Sequence, residues 1–211
     1  MAERAILAPH NSIVQEVNNA VAAKFPGEEW VCSSADVIVD EENAVAIPTE
    51  YLNSLEVSGL PPHRLCLKPG MLIMLLCNLA PKDGLCNGTR LLVQRVINEQ
   101  LLQATIAGSH QTVLIPRIAL QPTDESFPFV WQRRQFPVRL AFAMTINKSQ
   151  GQTLQRVGVY LRDPVFTHGQ LYVAASRIFH PQNIRFAVAA DSFNKTKNVV
   201  YREVLLDSLL E

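Results

Sequence analysis

The sequence predicts an α/β domain that is interrupted along the chain by a small inserted β-barrel. Near both ends, apolar strand-like runs alternate with helical patterns, which is typical of a parallel sheet. Between them, short apolar runs follow one another with Gly and Asn turns in between, which is typical of a small barrel. We expect the α/β domain over 1–60 and 123–211, and the barrel over 61–122.

The first part of the α/β domain reads as a β–α unit. Arg4–Ala8 has the pattern of a short buried strand, which Pro9 ends. Asn11 and Ser12 are good N-cap residues for a helix that runs to about Phe25. One face of this helix is apolar, with Ile13, Val14, Val17 and Val21. The later segments predicted here are an apolar stretch, Val31–Val39, and a short helix, Thr49–Leu55.

A cluster of helix- and strand-breaking residues, Ser58–Pro62, marks the start of the insertion. The segments after it are short and apolar, and the turns between them contain Lys-Pro-Gly, Asp-Gly, Asn-Gly and Gly-Ser. The barrel, with its last strand ending before Pro122, is predicted from Leu65–Leu67, Met71–Leu76, Thr89–Val96, Leu101–Ile106 and Thr112–Ile115.

The α/β pattern then resumes. Val138–Ala143 is predicted as a buried strand, and Gln152–Leu161 leads into another whose apolar residues alternate. Thr167 is predicted to cap a helix that continues through Ser176. The last predicted elements are a strand, Ile184–Ala189, and a C-terminal helix, Asn198–Leu210.

The charges are separated along the chain although the 211 residues carry no net charge. Eight acidic and no basic residues lie in 28–63, whereas six basic and no acidic residues lie in 126–162. Such a chain can present a cationic face and stay neutral overall, or it can simply carry two solvated faces. No signal-peptide pattern or membrane-length apolar run is found. We therefore expect a soluble intracellular protein, nuclear or cytoplasmic, that does not contact membranes.

The most informative polar segment is Ile146–Thr153, INKSQGQT, which follows a predicted buried strand. In open α/β sheets, ligands bind at the carboxyl ends of the strands. Gly151 lets a backbone approach a phosphate closely, and Lys148 offers a point charge that suits phosphate. The alternative interpretation is an ordinary polar surface loop.

Arg177 ends the predicted helix that begins near Thr167. An arginine at this place is either a surface charge that complements the helix dipole or an arginine finger, which stabilises charge on a transferring phosphoryl group. Periodicity does not separate the two.

Other sites receive less support. Val37–Glu41 resembles a strand with Walker B carboxylates, but the chain contains no G-x-x-x-x-G-K-[ST] loop, so an acidic turn is favoured. His63 and Cys66 have a metal-like spacing without a second pair, and the four cysteines are expected to be buried reduced thiols. No metal site is therefore predicted, and no G-x-S-x-G or H-E-x-x-H motif is present.

The segment from Arg133 to Arg177, which contains TINKSQGQTL and LYVAASR, resembles motifs V and VI of the Pif-family superfamily-one DNA helicases. Its sequence is most similar to the Helitron transposon branch. RAILAPHNSIVQEVN, at 4–18, looks like motif IV of the same family. The segment 48–93 looks like the linker and inserted barrel of that branch. The resemblance covers about Arg4 to Phe186, with the motifs in the family's order.

The resemblance implies the second RecA-like domain of a 5′-to-3′ helicase, with an inserted SH3-like barrel near the DNA exit or fork. In such enzymes two RecA-like domains close around ATP and Mg²⁺ and move along single-stranded DNA, in repair, recombination or transposition. Motif VI makes Arg177 the catalytic arginine at the γ-phosphate. The residues expected beside the nucleotide are Gly151, Gln150 and Asn11; those expected to contact or couple to DNA are Thr145, Lys148 and Ser149.

The family's Walker A, Walker B and motif III segments do not match anything in this chain. We therefore expect no ATPase activity and no tight ATP or Mg²⁺ binding without the missing N-terminal RecA-like domain. Asn147 stands where many relatives outside the Helitron branch carry His, and Asn11 stands where some relatives carry a motif IV Arg. Ala175 replaces a Leu, which at a buried site would leave a cavity costing ~2–3 kcal/mol.

A second hypothesis is a non-catalytic module left from a transposon helicase, with Met1 directly upstream of motif IV. It would bind single-stranded DNA weakly, in a salt-sensitive manner, through Arg133, Arg134, Arg139 and Lys148.

Overall fold

The structure, a computed structural model, describes residues 3–39, 47–109, 111–122, 127–189, 195–201 and 203. Its helices are α1 (Asn11–Lys24), α2 (Thr49–Ser54) and α3 (Gln170–Ala175). Its strands are β1 (Arg4–Ala8), β2 (Trp30–Ser33), β3 (Ala35–Ile38), β4 (Arg64–Leu67), β5 (Leu72–Leu75), β6 (Arg90–Ile97), β7 (Leu101–Ile106), β8 (Thr112–Pro116), β9 (Ile118–Leu120), β10 (Trp131–Gln135), β11 (Val138–Leu140), β12 (Ala143–Thr145), β13 (Arg156–Leu161) and β14 (Ile184–Val188).

The chain forms two compact units, one from 3–21 with the described part of 142–211, the other from 22–141. The first unit is built on a parallel sheet in the order β12-β1-β13-β14. Its central strand β1 is apolar and buries Leu7 and Ala8, whereas β14 at the edge of the sheet is largely exposed. The apolar face of α1, with Ile13 and Val14, packs on Ala8 and Ala143. This is the β–α arrangement that the sequence predicts for its first segment.

The second unit consists of antiparallel sheets. A five-stranded sheet has the order β11-β5-β6-β7-β8, a three-stranded sheet the order β3-β10-β9, and β2 pairs with β4. Trp131, Leu52, Leu60 and Phe129 form a buried cluster beneath the three-stranded sheet. The predicted barrel segments all become strands here, and four of them, β5 to β8, lie side by side in the five-stranded sheet. The SH3-like closure and the boundaries 61–122 stay predictions.

The strand predicted over Val138–Ala143 is wrong as a single element. The structure has two strands there: β11 pairs antiparallel with β5, and β12 pairs parallel with β1. The two belong to different compact units, which divide between Ala141 and Phe142. Both strands are apolar and adjacent in sequence, so the pattern gives no sign of the change of partner.

Several other boundaries differ from the predictions. β1 and β7 have the predicted limits, whereas β10 was not predicted, because WQRRQ carries two arginines. Thr167 does not cap α3; its carbonyl accepts a long hydrogen bond from Gln170, and Gly169 occupies the N-cap position with a left-handed φ of 74°. The acidic turn at 40–42 and most of the predicted C-terminal helix lie outside the described residues. Residues 198–201, which the prediction placed at the start of that helix, are not helical. No helix among the described residues is long and apolar enough to cross a membrane.

Candidate functional site

The polar loop singled out in the sequence leaves the parallel sheet at the carboxyl end of its strands. Thr145, the last residue of β12, is in register with Ala8, the last residue of β1. The backbone N–H of Ile146 then donates to the carbonyl of Ala8 at 3.0 Å. The chain turns through a short 3-10 helix, Asn147–Ser149, and crosses to β13 on the other side of β1. The loop therefore starts where open α/β sheets bind ligands.

Ser149 is the buried anchor of this loop. Its side chain has no exposed surface, and its hydroxyl donates to the carbonyl of Ile146 at 2.6 Å. Its backbone N–H donates to the same carbonyl at 3.1 Å. The hydroxyl is thus used to hold the 3-10 turn, which gives Ser149 a supporting role in place of the DNA contact expected from the sequence.

The side chains around Ser149 face solvent. Asn147, Lys148 and Gln150 are exposed, while Thr145 is half-buried and accepts a 3.3 Å hydrogen bond from the backbone N–H of Lys148 through its hydroxyl. Gly151 has a φ of 80°, a left-handed conformation that favours glycine, and open space lies where its Cβ would be. The loop thus offers backbone and polar side chains to a ligand, around a rigid centre.

Arg177 makes four hydrogen bonds, two of which attach it to this loop. Its Nη1 donates to the carbonyls of Gln152 at 3.2 Å and Ser149 at 3.5 Å. Its Nε donates to the carbonyl of Val173 at 3.0 Å, and its Nη2 to the hydroxyl of Ser176 at 2.8 Å. The side chain is half-buried. The structure therefore brings Arg177 together with the 146–153 loop, through backbone carbonyls rather than side chains.

Arg177 is positioned by α3, which packs against the 3-10 turn of the loop. Ala175 on this helix is exposed. The cavity expected from replacing a buried Leu therefore does not exist, because a shorter side chain facing solvent leaves no void. Gln170 at the start of the helix is 2% exposed, and its Oε1 accepts from the backbone N–H of Phe166 at 3.1 Å.

Asn11 lies at the same edge of the sheet. It is the first residue of α1 and is exposed, two residues after Pro9. The neighbouring His10 stacks on Phe166 with ring centroids 4.8 Å apart, which joins the turn after β1 to the segment after β13. Among the contacts of the described residues, none links the Asn11 side chain to Arg177.

The two arginines of β10 differ sharply. Arg133 is 1% exposed. It makes a bidentate ion pair with Asp36, in which Nη2 donates to Oδ2 at 2.6 Å and Nε donates to Oδ1. Its guanidinium also donates to the carbonyls of Leu52, Leu55 and Pro61. Because its guanidinium is buried and bonded to protein groups, DNA cannot reach it. The DNA contact predicted for Arg133 is therefore replaced by a structural role. Arg134 is exposed, since successive residues of a strand face opposite sides.

Arg139 is also turned inward. Its Nη2 donates to the carbonyl of Leu60 at 3.1 Å, and burial lowers the pKa of its guanidinium. Arg162 forms an exposed ion pair with Glu16 at 2.7 Å. The basic stretch of the sequence is thus dispersed. Of the four basic residues expected to contact single strands, Arg134 and Lys148 are exposed.

One buried residue that the sequence analysis did not single out is Asn18. It is 6% exposed; its Nδ2 donates to the carbonyl of Ala143 at 3.0 Å, and its Oδ1 accepts from the N–H of Ala143 at 2.8 Å. It therefore completes the backbone pairing at the start of β12, next to the loop. The available signal was its spacing of four residues from Val14, which places an amide on the apolar face of α1.

The structure gives no support for a metal or thiol site. Among the described residues, no group of three or more His, Cys, Asp or Glu side chains is arranged to hold a metal ion. His63 instead lies with its Nδ1 2.8 Å from the hydroxyl of Ser34. Burial raises the pKa of the thiols of Cys32, Cys66 and Cys77, which disfavours the reactive thiolate form.

Comparison with known families and proteins gives consistent relatives. The family described as "DNA helicase Pif1, 2B domain" matches residues 50–96. The chain is 39% identical to the ATP-dependent DNA helicase PIF1 of Homo sapiens over 182 residues, which is 85% of this chain and 26% of the human protein. It is 32% identical to the ATP-dependent DNA helicase PIF6 of Trypanosoma brucei brucei over 66% of this chain and 18% of that protein.

Solved structures agree with these relatives. The crystal structure of Pif1 helicase from Candida albicans superposes with a TM-score of 0.73 at 25% identity, covering 100% of this chain and 50% of that chain. The crystal structure of Bacteroides Pif1 bound to ssDNA gives a TM-score of 0.70 at 21% identity, over 99% of this chain and 45% of that chain. The chain thus spans about a quarter of the human protein and about half of each crystallised chain.

Proposed function

Because this chain belongs to the Pif1 helicase family, we propose that it supplies the second RecA-like motor domain of an ATP-dependent DNA helicase of the Helitron type. In this proposal the parallel-sheet unit is the motor part, and an SH3-like barrel of about 61–122 is inserted in it. Movement along single-stranded DNA is proposed to be 5′ to 3′. The partners are single-stranded or forked DNA and an N-terminal RecA-like domain.

The observation that carries the proposal is the attachment of Arg177 to the loop after β12. A guanidinium that stabilises a transferring phosphoryl group must be oriented before the reaction, because electrostatic stabilisation depends on preorganised charge. The carbonyls of Ser149, Gln152 and Val173 orient Arg177 in this way. We propose that Arg177 turns part of its fork from these carbonyls to the γ-phosphate when the nucleotide cleft closes.

The same contacts suggest how the nucleotide affects DNA. Lys148 and Gln150 are exposed on either side of the buried Ser149, whose carbonyl accepts from Arg177. A movement of Arg177 therefore changes a hydrogen bond at the centre of the loop. We propose that Thr145 and Lys148 contact the DNA backbone, that Gly151, Gln150 and Asn11 border the nucleotide, and that Ser149 transmits the change between them.

Magnesium is proposed to bind outside this chain. The described residues contain no cluster of carboxylates suited to the ion. ATP bound in the complete enzyme would provide the phosphoryl group, and the 211 residues contain no G-x-x-x-x-G-K-[ST] loop to hold its phosphates. The isolated chain is accordingly proposed to lack ATPase activity.

A second candidate is a non-catalytic module that binds single-stranded DNA. It is favoured by the exposure of Arg134 and Lys148. Its affinity would be low and salt-sensitive, because two cations release few counterions.

A chimera tests which candidate applies. This chain replaces the corresponding C-terminal part of a Pif1 helicase, and DNA-stimulated ATP hydrolysis is compared with that of the same helicase truncated before the junction. Hydrolysis restored well above that of the truncated protein supports the motor proposal. A folded chimera that binds single-stranded DNA but hydrolyses no more ATP than the truncated protein supports the binding module instead.

A further inference from the structure

The candidate site described above lies at the carboxyl ends of the parallel strands. A cavity of about 300 Å³ opens at the opposite edge of this sheet, where β13 begins. Its lining residues are Leu154, Gln155, Arg156, Phe179, His180 and Asn183. All belong to the parallel-sheet unit. Arg156 is the first residue of β13, and Asn183 directly precedes β14, so the cavity lies at the amino ends of these strands. Its volume is at the lower end of the range for small-molecule sites, about 300–1,000 Å³.

Phe179 supplies an aromatic wall to this cavity. Its side chain is 81% exposed, the largest fraction among the exposed large hydrophobic residues of the described chain. A single exposed apolar side chain is common on protein surfaces and needs no explanation by itself. A ring that lines a polar cavity is different, because nucleic-acid bases stack on such rings without regard to sequence.

Arginines border the ring. Arg156 lines the cavity and is exposed. Arg4, the first residue of β1, is its register partner in the parallel ladder, so the two exposed side chains lie on the same face of the sheet. Arg185 pairs with Gly158, two residues beyond Arg156, and shares this face. Its Nη1 donates to the carbonyls of Gln182 and Ile184, the two chain neighbours of the lining residue Asn183.

The polar lining completes a set of groups suited to a nucleotide. Gln155 and Asn183 each carry an amide that both donates and accepts, which matches the mixed edge of a base. None of the six lining residues is acidic, so no fixed negative charge in the lining opposes a phosphate. Arginine guanidinium groups recognise phosphate by paired N–H donors.

We propose that this cavity, the Phe179 pocket, binds one nucleotide unit, with the base stacked on Phe179 and the phosphate on Arg156 and Arg4. The inference goes beyond the proposed function, which assigns nucleotide and DNA contacts to the loop at the other edge. Arg4 and Ala8 at the two ends of β1 are four residues apart, or about 13 Å at the usual rise of a strand. The Phe179 pocket is therefore separate from the start of that loop.

The pocket is nevertheless joined to Arg177 through the backbone. The N–H of Leu154 donates to the carbonyl of Arg177 at 2.8 Å, and Leu154 pairs with Ile178 in an isolated parallel bridge. Phe179 follows directly. A nucleotide in the pocket would therefore contact residues two and three positions after the arginine assigned to catalysis.

The unit can come from a nucleic-acid strand or from a free nucleotide, and two probes distinguish these sources. Fluorescence anisotropy of the complete 211-residue chain measures binding of labelled oligo(dT) across a range of salt concentrations. Unlabelled dTMP is then added as a competitor. Competition by dTMP at concentrations well below those needed for a generic anion such as phosphate assigns the pocket to free nucleotide. If dTMP does not compete while oligo(dT) still binds, the pocket is assigned to a nucleic-acid strand. Both results require the dependence on Phe179 described next.

Phe179→Ala is expected to weaken binding about tenfold, or by about 1.4 kcal/mol, because it removes the ring on which the base stacks. Phe179→Tyr keeps the ring and is expected to bind like the unsubstituted chain. Arg156→Ala is expected to lower the slope of log affinity against log salt by about 0.7, the value for one phosphate contact on a single strand. Phe186→Ala and Arg95→Ala, also exposed residues, are the matched controls.

The proposal is overturned if Phe179→Ala and Arg156→Ala bind as tightly as the two controls, or if the unsubstituted chain binds neither probe. Circular dichroism establishes that each variant is folded. Lys148→Ala, measured in parallel, separates the two sites. If only Lys148→Ala lowers the affinity, the result contradicts the Phe179 pocket and is consistent with the proposed function. Affinity lost through Phe179 and Arg156 alone supports the pocket and contradicts the DNA contact assigned to the loop.

Discussion

Arg133 and Asp36 form a buried ion pair in which the two side chains are 1% and 0% exposed. Removing two charges from water is costly, and the structure compensates with three carbonyl acceptors for Arg133 and a hydrogen bond from the hydroxyl of Ser34 to Asp36 at 2.6 Å. The guanidinium also lies 5.1 Å from the ring centroid of Trp131. The pair connects α2, β3 and β10 inside one unit.

Asp36→Ala is expected to lower the free energy of unfolding by about 3–5 kcal/mol, because it leaves the buried guanidinium of Arg133 without its counter-charge. Urea denaturation followed by tryptophan fluorescence measures this loss. Glu16→Ala, which breaks the exposed ion pair with Arg162, is the matched control and is expected to change stability little. Equal effects of the two substitutions would contradict the structural role given to Arg133.

The candidate site could be predicted from the sequence only in part. Arg177 and the loop from Ile146 to Thr153 were singled out together, and the structure has them in contact. Arg133 was assigned to DNA because a pair of adjacent arginines looks like a cationic surface. That pattern does not show that Arg133 is buried, because its ion-pair partner, Asp36, lies 97 residues away in the chain. The hydroxyl of Ser149 is used locally instead, since it donates to the carbonyl of Ile146 three residues earlier, and the residue type alone does not indicate this bond.

At the level of secondary-structure elements, the parallel sheet is held by the pairing of β12 with β1 and by the packing of α1 on both strands. Helix α1 covers the sheet with Ile13 and Val14, and Asn18 on the same helix makes two hydrogen bonds to the backbone of Ala143. Periodicity predicts both β1 and α1, since each is local in sequence. The division of Val138–Ala143 into β11 and β12 was missed because each half pairs with a strand far away in the chain.

Asn18→Ala is expected to destabilise the parallel-sheet unit by about 1–3 kcal/mol, because it leaves the buried N–H and carbonyl of Ala143 without partners. Hydrogen exchange of the Ala143 amide should become faster, which a general loss of stability at distant sites would not single out. Asn19→Ala changes the exposed neighbour on the same helix and is the control. An unchanged exchange rate at Ala143 in Asn18→Ala would contradict the pairing described here.

For the whole molecule, the net charge is zero, but the arginine side chains are not evenly placed. Arg133 and Arg139 are turned inward in the antiparallel unit, Arg162 is paired with Glu16, and Arg4 and Arg156 lie together on one face of the parallel sheet. Sequence counting predicts that cations are concentrated in 126–162. It does not predict which of them face solvent, because that depends on strand register and on partners distant in the chain.

We propose above that Arg177 stabilises the transferring phosphoryl group in a complete Pif1-type motor. The most direct measurement is single-turnover ATP hydrolysis by the chimera that contains this chain, with Arg177 unsubstituted and with Arg177→Ala, in the presence of single-stranded DNA. We expect the rate to be lower by about 10³–10⁵ for Arg177→Ala, with nucleotide binding largely retained. A variant that is folded, binds nucleotide and hydrolyses it at a rate within a few-fold of the unsubstituted chimera would contradict the claim.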